Sequence, residues 1–121
     1  MKLKSKDIWL KEPVLHDYPA AEDYLSLLVN PDVAERISKE LEFASVITKK
    51  AKDVLRASEL PLLSSDNIHV KENIKKVKQG KKLSPILLVR LHNKLVIADG
   101  YHRLCSIYYL SEDLEIPCKI V

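Results

Sequence analysis

The chain has 121 residues, 46% of them apolar and 31% charged, with two glycines and six prolines. This suits one packed domain and excludes disordered, collagen-like and low-complexity classes. The net charge of +3 divides unevenly: Met1 to Leu60 carries 10 Lys and Arg against 11 Asp and Glu, whereas Pro61 to Val121 carries 10 against 6, so any anion-facing surface belongs to the second half. The longest apolar runs, Ile86 to Val89 and Leu95 to Ala98, fall far short of the roughly 18 residues that span a bilayer, and the basic opening Met1 to Lys11 holds no signal-peptide core. These features predict a cytoplasmic protein without a membrane partner. Cys105 and Cys118 are then reduced and too few for a disulfide framework.

In chain order, Asp17 is predicted to cap and Pro19 to start a helix with Tyr24, Leu25, Leu27 and Leu28 as its apolar face, ending at Asn30. Asn30 then caps a second helix with Pro31 at its first position, where Val33, Ile37 and Leu41 recur at i, i+4 and i+8. The two form a helical hairpin, an N-terminal extension over residues 1–43, followed by a core over 44–121. Val46, Ile47 and Thr48 favour a short strand, with helix continuation as the alternative. A helix through Ala51, Val54 and Leu55 stops near Ser58, ahead of Pro61. From Ile68 to Gln79, Val70, Ile74 and Val77 line one face of a helix, Lys71, Lys75 and Lys78 line another, and Gly80 supplies a left-handed C-cap.

Pro85 to Leu91 and Lys94 to Ala98 read as strands joined by a tight turn at His92 and Asn93. Tyr101 to Leu110 is a short helix with Leu104, Ile107 and Tyr108 inward, and Ile116 to Val121 a last strand with Ile116, Cys118 and Ile120 on one face. Trp9, Tyr18 and Phe43 are expected to fasten the N-terminal part to the sheet. The fold class is therefore α+β: a small mixed sheet with packed helices, preceded by the helical hairpin.

The chemistry concentrates in Asp99-Gly100-Tyr101-His102-Arg103, where a strand runs through a glycine turn into a helix. Such a junction aims free backbone N–H groups and the positive helix end at one point, which suits a phosphate. Arg103 offers a planar fork, His102 a proton shuttle, and Tyr101 a ring to stack on a base. Asp99 and His102 are the candidate catalytic groups; Gly100, Tyr101, His102 and Arg103 are the candidate nucleotide-binding set. The plainer reading of the same residues is a cap, a turn and two solvated cations.

The succession Gly80 to Pro85, Ile86-Leu87-Leu88-Val89, Leu95-Val96-Ile97-Ala98, Asp99 to Arg103 and Ile116 to Val121 resembles the ParB/sulfiredoxin superfamily over about Ile68 to Val121. The resemblance implies a nucleotide (ATP, ADP or CTP, with Mg²⁺) at the glycine turn, and leaves phosphoryl transfer or hydrolysis open. Tyr101 stands where sulfiredoxins carry their catalytic cysteine, so sulfinic-acid reduction is not implied. ParB proteins have Gly-Glu-Arg-Arg where this chain has Gly100-Tyr101-His102-Arg103. Free-serine kinases, with Asp-Gly-His-His-Arg, are nearest at the turn, and there Asp99 matches an aspartate with a role in catalysis. That mechanism needs a further acid, for which Asp66 and Glu72 are the candidates.

Two other constellations are readable. Lys71, Lys75, Lys76, Lys78, Lys81 and Lys82 cluster within twelve residues and suit a nucleic-acid backbone, outer nucleotide phosphates, or solvent. This basic stretch carries the alternative function, a non-catalytic protein or nucleic-acid interaction module on the same scaffold. His69, His102, Cys105 and Cys118 are conceivable zinc ligands, but no Cys-x-x-Cys or His-Glu-x-x-His supports them, and no metal site is assigned.

Overall fold

The computed structural model describes residues 5–121, so Met1 to Lys4 of the basic opening lie outside the described residues. The elements run α1 (Ser5–Ile8), α2 (Asp17–Leu25), α3 (Pro31–Phe43), β1 (Ile47–Lys50), α4 (Ala51–Ser58), α5 (Ile68–Lys78), β2 (Ile86–Leu91), β3 (Lys94–Asp99), α6 (Tyr101–Leu110) and β4 (Glu115–Ile120). The fold is α+β. None of these helices is long and apolar enough to cross a membrane.

The four strands form one mixed sheet in the order β1-β4-β2-β3. β4 is antiparallel to β1 and parallel to β2, while β2 and β3 form an antiparallel hairpin. His92 and Asn93 close that hairpin with φ of 55° and 62°, the two left-handed residues that a two-residue turn between twisted strands requires. Helices cover both faces of the sheet. On one, Ile86, Leu88, Ile97, Ile116 and Cys118 meet Val54, Leu55, Leu104 and Ile107 of α4 and α6, with Trp9, Val77 and Leu83 at the margin. On the other, Leu87, Val89, Val96 and Ala98 meet Tyr18, Ala21, Leu25, Ala34, Ile37 and Leu41 of α2 and α3. Because β2 is covered twice, Ile86 to Val89 are all buried and show no apolar alternation.

The N-terminal part is tied in by backbone as well as by packing. Leu10 N–H donates to the Leu83 carbonyl at 2.8 Å and Leu83 N–H to Ile8 at 2.7 Å, a parallel bridge centred on Trp9. Lys119, on the α2–α3 side of β4, is buried; its ammonium donates to the Glu42 carbonyl at 2.9 Å and lies 5.3 Å from the Tyr18 ring. These contacts offset part of the cost of taking an ammonium out of water.

Several expectations are corrected by the structure. Asp17 does not cap α2: it is the first helical residue and His16 holds the cap position without a capping bond, so the helix starts before Pro19. The helix ends at Leu25, and the turn that follows rotates Leu27 out to 80% exposure, so Tyr18, Ala21 and Leu25 form the buried face instead. Phe43 fastens nothing; it ends α3 on the solvent side and is 89% exposed, while Trp9 and Tyr18 are buried. The strand near Val46 is real but begins at Ile47, as an exposed edge, and α4 starts at Ala51. Asn30 caps α3 with its side-chain oxygen and Gly80 is left-handed with φ of 78°, as the sequence predicts, and the structure adds Asn67 as the cap of α5.

Candidate functional site

The site is built where β3 passes into α6. In the β2–β3 ladder, Leu88 faces Ile97 but Leu87 faces Asp99, so one extra residue of β3 is accommodated there as a bulge. A bulge turns every residue beyond it to the opposite side of the sheet. Asp99 therefore emerges on the Leu87 face, toward α2, and not on the Ile86 face. Gly100 follows at φ of 110°, and α6 begins without any side-chain cap. Its first amides are thus left for solvent or a ligand.

Arg103, in the first turn of α6, folds back over this glycine. Its Nη2 donates to Asp99 Oδ2 at 2.7 Å and its Nη1 lies 3.5 Å from Oδ2 of Asp17 at the start of α2. The same Asp17 oxygen accepts the Ser84 hydroxyl at 2.6 Å, and Ser84 in turn accepts Val14 N–H at 3.1 Å. Arg103 Nε is buried without a hydrogen-bond partner among the described residues. The fork read as a phosphate clamp is thus engaged by two carboxylates. Burial, the largest influence, raises the Asp99 pKa from the usual carboxylate range; Arg103 opposes this, and the neighbouring Asp17 adds to it.

Beside this cluster lies a cleft of about 470 Å³, lined by Asp99 to Arg103, by Lys82, Leu83 and Ser84, and by one stripe of α5: His69, Glu72, Asn73 and Lys76. Lys76 and Lys82 bring positive charge to it, and Glu72 brings a carboxylate. The His102 ring is 4.9 Å from that of His69, edge to face, and burial followed by this second imidazole lowers its pKa below the ordinary value. Both influences favour the neutral imidazole, the form able to accept a proton. Tyr101 lines the cleft too, but its hydroxyl is donated to the Pro61 carbonyl, which fixes the ring as wall.

Asp99, Gly100, Tyr101, His102 and Arg103 all line the cleft. Of the two acids suggested as the further carboxylate, Glu72 lines the cleft and Asp66 does not. The basic residues divide: Lys76 and Lys82 face the cleft, whereas Lys71, Lys75 and Lys78 surround a separate depression on the far side of α5. Among the described residues no group of three or more His, Cys, Asp or Glu side chains is arranged to hold a metal. Cys105 and Cys118 are buried, and burial pushes the Cys118 thiol up to about 11, which keeps it protonated. Asp17 is the residue that the sequence pattern missed, because a local reading assigned it to a cap.

No family model matches the chain, and no curated protein or solved structure matches it either.

The raised Asp99 pKa gives a stability prediction. Ionised Asp99 costs the folded state more than the unfolded one, so this cost is absent at acid pH and sets in as pH rises through its folded pKa. Asp99→Asn, which keeps an oxygen for Arg103 and removes the charge, is expected to unfold at least as high as wild type at pH 7. Its advantage should shrink toward pH 3. Thermal unfolding across that range checks this; a variant less stable than wild type at pH 7 and equal to it at pH 3 would show that the carboxylate charge stabilises the fold.

Proposed function

We propose that the cleft binds a nucleotide or another phosphorylated ligand, accompanied by Mg²⁺, with its phosphate at the first turn of α6. What supports this reading is the uncapped start of α6 at Gly100, opening into a cleft to which Lys76 and Lys82 bring two cations not paired with Asp99 or Asp17. In this arrangement the backbone amides and the two lysines meet the phosphate, while Arg103, held by Asp99 and Asp17, forms the wall behind it. The likeness to the ParB/sulfiredoxin superfamily at Asp99 to Arg103 favours ATP, ADP or CTP. A cytoplasmic setting, where such ligands occur, goes with the reading. Neutral His102 is placed to take a proton from a hydroxyl or water, and Asp99 to orient it, if phosphoryl transfer or hydrolysis follows binding.

Titrating the protein with ATP, ADP, CTP and GTP plus Mg²⁺ in thermal unfolding tests the reading. At 100 times its dissociation constant the right ligand adds about 2.7 kcal/mol of stability. Lys76→Ala and Lys82→Ala should each weaken that ligand by about 1.5 kcal/mol, roughly tenfold, since each removes a charge-assisted contact. If a reaction accompanies binding, Asp99→Asn and His102→Ala lower turnover more than affinity. No shift with any nucleotide at millimolar levels would reject the proposal.

The second reading, an interaction module, is favoured by one observation: Lys71, Lys75 and Lys78 share an exposed face of α5 away from the cleft. Contact with a nucleic-acid backbone there would weaken steeply with salt, and Lys81 lies next to this face in sequence.

A further inference from the structure

Three parts of the chain meet at the buried edge of the cleft. Asp17 opens α2, Ser84 precedes β2, and Asp99 with Arg103 spans the β3–α6 junction. Asp17 is 4% exposed, and the Arg103 side chain 17%. The guanidinium rests where a side chain on residue 100 would be: a Cβ on Gly100 would come within 2.9 Å of Arg103 Nη2 and 3.2 Å of its Nε. The arginine is thus placed by two carboxylates and by the glycine's missing side chain. One of those carboxylates comes from the N-terminal helical pair.

A buried aspartate is a poor choice for holding a helix on a sheet. Removing its charge from water is costly, and Tyr18, Ala21 and Leu25 of the same helix make that contact with apolar surface. The carboxylate is explained by what it holds. Asp17 does not line the cleft, while Ser84, Asp99 and Arg103, its partners, do.

We propose that Asp17 is a positioning residue for the cleft: from α2 it holds Arg103 against Gly100, fixes the wall at the first turn of α6, and so makes the N-terminal helical pair part of the binding machinery. This rests on the reading of the cleft as a site for a phosphorylated ligand. The ligand would never touch Asp17, yet would sense it through the placement of the guanidinium. A displacement of α2 would reach the site by the same route.

The test uses the full chain with Asp17→Asn, Asp17→Glu and Ser84→Ala, each measured at a temperature where it is folded. Calorimetric titration with Mg·ATP, Mg·ADP, Mg·CTP and inorganic phosphate reads affinity. The Arg103 Nε–H signal and the Asp99 carboxyl titration, both by NMR, read placement. Asp99 is faced by Arg103 and Asp17, and His16 Nε2 lies 3.5 Å from the outer oxygen of Asp17. Asp17→Asn is expected to weaken the probe that wild type binds by tenfold or more, to shift the Arg103 signal, and to let Asp99 ionise at lower pH. Asp17→Glu should restore part of the affinity. A contact that only stabilised the fold would leave affinity unchanged in the folded protein, and Ser84→Ala, which alters no charge, would then leave the Arg103 signal in place. Unchanged affinity in folded Asp17→Asn overturns the proposal. If wild type binds none of the probes, the phosphorylated-ligand reading fails, and the Arg103 signal in Ser84→Ala, where no charge has changed, decides whether Asp17 places Arg103: a shift supports it and an unmoved signal overturns it. Should Asp17→Asn not fold, Ser84→Ala, which unfastens the carboxylate without removing its charge, is judged by the same outcomes.

Discussion

Arg103→Ala should cost about 3 kcal/mol of stability, because it leaves the buried carboxylate of Asp17 and the half-buried one of Asp99 with no cation between them. On sequence grounds this arginine is a ligand clamp whose loss, were it exposed, would weaken binding and spare the fold. Its engagement by Asp99 at 2.7 Å and Asp17 at 3.5 Å reverses that expectation. Arg103→Lys should recover only part of the loss, since a single ammonium cannot reach two carboxylates with the geometry of a planar fork. Combining Arg103→Ala with Asp99→Asn should also recover part, because one of the stranded charges is gone. Urea unfolding of the three variants measures this; a loss below about 1 kcal/mol in Arg103→Ala would mean that the charges are well solvated.

Gly100→Ala is expected to be comparably damaging, at about 3 kcal/mol. Two independent costs meet there. A φ of 110° is strained for any residue with a side chain, and the new Cβ would approach Arg103 Nη2 to 2.9 Å and Ile86 Cγ1 to 3.0 Å. Gly80→Ala is the matched control. Its φ of 78° is also left-handed, but nothing lies within 4 Å of the added carbon, so only the backbone cost of about 1–2 kcal/mol applies. Unfolding both variants in parallel separates conformational strain from crowding. Equal losses would show that the guanidinium does not depend on the space above Gly100.

The sequence made the helix and strand types readable wherever local chemistry sets them. Asn30 announces its helix, Gly80 ends α5, and His92-Asn93 closes the β2–β3 hairpin. The Asp99 to Arg103 turn was readable for the same reason. What was not readable depends on partners distant in the chain. Asp17 has the side chain of a cap, and only the placement of Ser84 and Arg103, 67 and 86 residues later, gives it another task. The bulge that turns Asp99 toward α2 leaves no mark in an apolar run buried on both faces. One signal was present: His69, Glu72, Asn73 and Lys76 recur at i, i+3, i+4 and i+7, a polar stripe on α5 that a search for apolar periodicity passes over.

The buried Lys119 bears on how the chain can be divided. Its ammonium is satisfied by the Glu42 carbonyl and the Tyr18 ring, both on the far side of the boundary that separates residues 1–43 from 44–121. A chain cut at that boundary would lose every partner for this charge and uncover Leu87, Val89, Val96 and Ala98 together. The seam visible in the sequence is thus no seam in the cooperative unit: slow-exchanging amides of the central strands and of the first two long helices should open in a single event, and a shortened version would present a sticky sheet face in place of a working core.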